Sequence, residues 1–154
     1  MELNEHSVEA VFAYLTRACP DLPRLFAGLD LKLTARMAAG DLGVGDSAAL
    51  ARWLRAQDLP QYNLLRNWWY VVEMHRRAQA GETLYALAAN QGRELATLSR
   101  FVARVTGEPW SLLKVTPQST LRHRAVAVWS AHRPQLLARA IESAEKLPWT
   151  KVAQ

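Results

Sequence analysis

The sequence contains a single cysteine, Cys19, and no apolar run long enough to cross a bilayer. One cysteine forms no disulfide within the chain, which points to a reducing compartment. Segment 1–15 is acidic and lacks the basic start and the long apolar stretch of a secretory signal. Because a membrane span needs about 18 apolar residues or more, the sequence predicts a cytoplasmic protein without a membrane segment.

Glycine and proline are also scarce, at seven each among 154 residues, whereas 50% of the residues are hydrophobic and 21% are charged. This composition is typical of a folded globular protein and excludes a disordered chain. The length fits one domain or two small ones with a shared core. We divide the chain into an N-terminal helical region, 1–58, and a basic helical region, 59–154, and expect the two to share one core.

Apolar residues recur at helical spacing along most of the chain, and no segment alternates as a strand does. The pattern predicts an all-α fold, a compact multi-helix domain of about eight or nine helices. A glycine-rich stretch, 38–47, is predicted to be a loop, and a segment with two prolines, 106–120, is predicted to be an irregular link. The predicted helices begin near Ser7, Pro23, Ser47, Pro60, Glu82, Glu94, Leu121 and Pro134.

The residue patterns of common catalytic and metal sites are missing. The four histidines lack the spacing of a metal-binding pair, and His75 lies on an apolar helix, where we expect a hydrogen-bonded position at the edge of the core. The sequence contains no nucleophile elbow, phosphate-binding loop or dinucleotide fingerprint. We therefore predict that the protein is not an enzyme and uses neither a metal nor a cofactor.

Positive charge is concentrated in the second half of the chain. Residues 1–60 carry 6 Lys or Arg against 8 acids, and residues 61–154 carry 13 against 6. Between 93 and 139 the ratio is 8 to 2. This asymmetry favours binding of phosphate by the C-terminal half. The alternative is a solvated, arginine-rich surface.

Segment 84–104, "LYALAANQGRELATLSRFVAR", has the residue pattern of a helix-turn-helix. That motif needs a small residue where its two helices cross and a glycine in the turn. Ala88 and Gly92 meet both requirements, and the second helix has an apolar inner face formed by Leu95, Leu98, Phe101 and Val102. We predict a helix-turn-helix-like unit at about 83–105. The alternative is an ordinary helical hairpin that exposes arginines.

The outer face of the second helix carries the candidate nucleic-acid contacts. Arginine pairs with guanine, and threonine or serine binds phosphates or base edges. Arg122 and Arg124 form a further basic pair near the start of a later predicted helix. Positive charge is unfavourable at a helix N-terminus unless an anion is bound there. The predicted nucleic-acid-binding residues are Arg93, Thr97, Ser99, Arg100, Arg104, Arg122 and Arg124.

Segment 96–117, "ATLSRFVARVTGEPWSLLKVTP", resembles the helix-turn-helix of bacterial transcription activators, with Gly107 and Pro109 in the link after the second helix. It is similar to that of AraC-type activators and of the zinc-binding component of the flagellar master regulator, over about 84–118. Gln91 and Arg93 flank the turn glycine, where most members of this class have aliphatic residues. The zinc-binding cysteines of the flagellar regulator are missing, as is the second motif of an AraC-type domain. The resemblance implies regulation of transcription by binding DNA.

Six tryptophans are many for this length: Trp53, Trp68, Trp69, Trp110, Trp129 and Trp149. Trp68 and Trp69 are adjacent on one predicted helix and point about 100° apart, so one can face the core while the other lies at its edge. That helix either belongs to the core or forms the contact for a homodimer or a protein partner.

The sequence thus favours a DNA-binding transcriptional regulator whose main partner is duplex DNA. Two other classes remain open. One is a non-enzymatic helical subunit of a larger nucleoprotein complex, in the style of a CRISPR-type small subunit. The other is a protein-binding adaptor.

Overall fold

A computed structural model describes residues 3–146 of the chain. Within this range the chain forms ten helices and no strand, and eight of the helices have seven residues or more. The all-α prediction is confirmed. The helices are α1 (Glu5–Ala18), α2 (Asp21–Phe26), α3 (Ala35–Leu42), α4 (Ser47–Ala56), α5 (Tyr62–Gln79), α6 (Leu84–Asn90), α7 (Leu95–Thr106), α8 (Trp110–Leu113), α9 (Gln118–His132) and α10 (Leu136–Glu145).

The glycine-rich stretch predicted as a loop is largely helical. Thr34 caps α3, its Oγ1 accepting the Met37 N–H at 3.2 Å, and Gly43 ends the helix with φ 72°. Ala38 and Ala39 are both fully buried. A glycine inside a helix costs about 1 kcal/mol, and the cap and the buried face offset that cost at Gly40. The true loop is short, running from 43 to 46.

Three other helix predictions differ from the structure. The cap of α1 is Asn4, not Ser7; Asn4 Oδ1 accepts the Ser7 N–H, and Ser7 Oγ accepts the Asn4 N–H, both at 2.9 Å. The helix expected from Pro23 starts two residues earlier and ends at Phe26, because the backbone turns at Leu29 to bury that side chain. The predicted irregular link contains the short helix α8.

The long helix α5 runs through the middle of the fold and packs against α2, α6, α7 and α9. Its residues Tyr70, Val71, Met74 and His75 are fully buried. A single hydrophobic cluster extends from Val8 in α1 to Ala140 in α10, so it draws on both of the regions defined from the sequence. Among the described helices, none combines the length and the hydropathy needed to cross a bilayer.

The adjacent tryptophans of α5 differ in burial. Trp68 is 5% exposed, and Trp69 is half-buried, with its ring 5.6 Å from that of Phe12 and 6.4 Å from that of Phe26. Trp68 thus faces the core and Trp69 lies at its edge, as the spacing of the pair predicts. Trp129 is fully buried as well, while Trp149 lies outside the described residues.

Candidate nucleic-acid interface

Helices α6 and α7 are joined by the tight turn that the sequence predicts. Thr83 caps α6, its Oγ1 accepting the Ala86 N–H at 3.0 Å. Gly92 has φ 64°, in the left-handed region that favours glycine. The Arg93 N–H then donates to the Ala88 carbonyl at 2.9 Å, which closes the end of α6.

Apolar side chains lock the two helices together and against α5. The small residue Ala88 is 1% exposed, and Leu98, Phe101 and Val102 are at most 3% exposed. Leu95, predicted for the same inner face, is instead 44% exposed. Helical side chains lean toward the N-terminus, so the first residue of α7 extends past the turn, beyond the elements that cover the rest of the helix.

Replacement of Gly92 by alanine is expected to lower the free energy of unfolding by about 1 kcal/mol, because a Cβ is disfavoured at this backbone conformation. Space is not the reason, since an added Cβ would meet nothing within 4 Å. Gly40→Ala is the matched control, because Gly40 is helical with the same open surroundings and should gain about 0.5–1 kcal/mol. Urea unfolding measures both changes in the free energy of unfolding. If the two changes have the same sign, the backbone conformation at Gly92 is not what requires the glycine.

The outer face of α7 carries positive charge at several arginines. Arg100 and Arg104 are exposed, and Arg93 is half-buried in the turn. Within residues 3–146 none of the three arginines forms an ion pair. The guanidinium of Arg104 lies 5.6 Å from the centre of the Phe101 ring. Thr97 and Ser99, also predicted as contacts, are half-buried on the same helix.

Arg122 and Arg124 are occupied by partners within the chain. Arg122 pairs with Glu9 at 2.8 Å and stacks 3.9 Å from the centre of the Phe12 ring, which joins α9 to α1. Arg124 pairs with Glu108 at 3.0 Å and donates to a carbonyl at the end of α7. Carboxylates offset both charges, so their attraction for phosphate is weaker than an arginine count alone would predict.

Two features beside α7 were missed by sequence reasoning. The Oε1 atom of Gln91 is buried in the turn and accepts no hydrogen bond from the described residues, which typically costs about 1–3 kcal/mol. A groove of about 320 Å³ also lies between α5 and α7, and its lining includes Asn67 and Arg104. These two residues are distant in sequence, and only the packing of the helices brings them to one groove.

Ionisation along α5 is strongly affected by packing. Burial raises the pKa of Tyr62 to about 12, and its neutral phenol donates to the Leu33 carbonyl at 2.7 Å. Burial also acts to raise the pKa of Glu73, but hydrogen bonds from Arg76 and Arg77 outweigh it and lower that pKa. Arg76 and Arg77 of α5 therefore share one carboxylate, which offsets one of their two positive charges.

Comparisons with protein-family models, with curated proteins and with solved structures each find no match. In the part of the chain that the structure describes, no three His, Cys, Asp or Glu side chains are grouped to hold a metal ion. The chemistry that α7 offers is positive charge and hydrogen-bond donors on an exposed helical face.

Proposed function

We propose that the protein is a DNA-binding transcriptional regulator in which α7 is the recognition helix. One observation carries the proposal: the outer face of α7, the second helix of a glycine-turn pair, carries arginines that form no ion pair within residues 3–146, while its inner face packs on the core. An α-helix fits the major groove of B-DNA, which is about 12 Å wide. Helix α6 would lie across the groove as support, as in helix-turn-helix proteins.

The residues have distinct roles in this proposal. Arg100 and Arg104 face phosphates or guanine edges, since arginine binds both in a bidentate manner. Thr97 lies one turn before Arg100, and Arg93 reaches the DNA backbone from the turn between α6 and α7. A homodimer in the cytoplasm is expected, because two recognition helices double the site that is read. Since Trp68 is buried, a second copy that contacts this helix would meet the half-buried Trp69.

Fluorescence anisotropy with a random-sequence duplex, measured across a salt series, tests the proposal. The variant Arg100→Ala/Arg104→Ala is expected to reduce the slope of log K against log salt by about two, because each lost phosphate contact contributes about 0.9. The matched control is Arg52→Ala/Arg55→Ala, which removes the same charge from exposed positions on α4.

The control should keep the slope within about half a unit of the unmodified protein, on the order of one weak contact or less. Equal losses in both variants would mean that only net charge matters and would contradict a recognition helix. Binding that shows no preference after selection from random duplexes would favour the nucleoprotein-subunit alternative. No binding at low salt would favour the protein-binding adaptor.

A further inference from the structure

The groove between α5 and α7 is lined by three residues of α5 and two of α7. They are Leu64, Asn67, Trp68, Arg104 and Val105. Its volume of about 320 Å³ lies at the lower end of the range for small-molecule sites. The groove opens beside the helix face that we propose contacts DNA.

The side-chain amide of Asn67 is held in one orientation by its neighbour. Its Oδ1 accepts hydrogen bonds from Arg66 Nε at 3.0 Å and from Arg66 Nη2 at 2.7 Å. Arg66 is itself fixed, because its Nη1 donates to the Leu33 carbonyl at 3.0 Å and its guanidinium lies 5.6 Å from the centre of the Tyr70 ring. The Asn67 NH₂ group is thereby left as a donor that makes no hydrogen bond to any described residue.

The other polar group in the groove is the guanidinium of Arg104, which has only donors. The five lining residues include no acid, and Arg104 forms no ion pair within the described residues. The remaining walls, formed by Leu64, Trp68 and Val105, are largely apolar. A complementary ligand therefore has an anionic acceptor at one end and an apolar body at the other.

We propose that this groove binds a small organic carboxylate. Its carboxylate accepts hydrogen bonds from Arg104 and from the Asn67 NH₂, and its apolar body packs against Leu64, Trp68 and Val105. The bound ligand neutralises Arg104 and withdraws it from nucleic acid, so it acts as an antagonist of DNA binding. This last step, unlike the binding itself, rests on the proposed function.

Phenylacetate is a suitable probe, since it combines a carboxylate with a planar apolar ring. In ¹⁵N–¹H spectra of the full chain, millimolar phenylacetate should shift the amide signals of 64–68 and 103–106 in a saturable manner. Neutral phenylacetamide should bind at least about tenfold more weakly, because it lacks the charge that pairs with Arg104. Absence of saturable shifts, or shifts centred elsewhere, would overturn the proposal.

The variant Asn67→Asp tests the role of the Asn67 side chain in binding. The new carboxylate still accepts from Arg66, so the local packing is retained, but the donor is lost and a like charge faces the ligand. Affinity for phenylacetate should fall by about tenfold or more. The control is Asn63→Asp, the same change one turn earlier on α5 at an exposed position outside the groove, which should change affinity by less than about twofold. Equal losses in the two variants would refute the site.

The coupling to DNA is measured separately, by anisotropy with saturating phenylacetate. Duplex binding by the unmodified protein should weaken by about threefold or more, in line with loss of one phosphate contact, and that of Arg104→Ala should not respond. If phenylacetate binds the groove and the protein binds no duplex, the ligand site stands and the proposed function fails. If the protein binds duplex and does not bind phenylacetate, the proposed function stands and the ligand site fails.

Discussion

Replacement of Trp129 by alanine is expected to lower the free energy of unfolding by about 3–5 kcal/mol, the range for deletion of a fully buried aromatic ring. Trp129 is 0% exposed, and its ring lies 5.5 Å from that of Phe12. Its indole Nε1–H donates to the Leu64 carbonyl at 3.1 Å. One side chain thus joins α9 to α1 and α5, so its loss leaves a cavity and removes the hydrogen bond that ties α9 to α5.

Urea unfolding followed by circular dichroism measures this loss. Trp53→Ala is the control, because that ring is only half-buried on α4. Its loss should remain below about 2 kcal/mol, since less apolar surface is returned to water. If Trp129→Ala lowers the free energy of unfolding no more than Trp53→Ala does, Trp129 is not central to the core.

Replacement of His75 by leucine is expected to lower the free energy of unfolding by about 2–4 kcal/mol, since it removes both hydrogen bonds of a fully buried ring. The ring of His75 is 0% exposed. Its Nε2 is 2.6 Å from the Thr116 carbonyl, and its Nδ1 is hydrogen-bonded to the side-chain amide of Gln118. These bonds fasten α5 to the link that leads from α8 into α9.

Gln79→Leu is the control, because it removes only long contacts, 3.4 Å to His75 Nε2 and to the Thr116 carbonyl, and keeps the two short bonds of the His75 ring. Gln79 also reaches the Thr116 carbonyl, at 3.4 Å, but its side chain is exposed. Its replacement should change stability by no more than about 0.5 kcal/mol in the same urea assay. A loss at His75 as small as that at Gln79 would contradict a role for the buried ring in fixing the link.

Several helix ends that local chemistry sets were predicted closely, although the cap of α1 was not. Asp46 caps α4 through its own side chain, and α7 ends at Thr106, directly before Gly107. Local signals also predicted the turn at Gly92. These features depend on residues within one helical turn, so the neighbouring residues are enough to find them.

Features that depend on tertiary packing were not predictable in the same way. The helix α3 persists through Gly40 because of a buried face that only the folded core provides. The partner of Arg122 is Glu9, 113 residues away. No spacing rule indicates that pair, so a count of arginines overestimates the positive charge available at the start of α9.

The two ends of α7 differ in their side-chain hydrogen bonds. At its last turn Thr106 Oγ1 donates to the Val102 carbonyl at 2.8 Å, and Arg124 donates to the Thr106 carbonyl at 2.8 Å. Its first turn has no side-chain cap, and Leu95 is exposed there. We therefore expect local opening of α7 to begin at its N-terminal turn, while its last turn stays packed on the core.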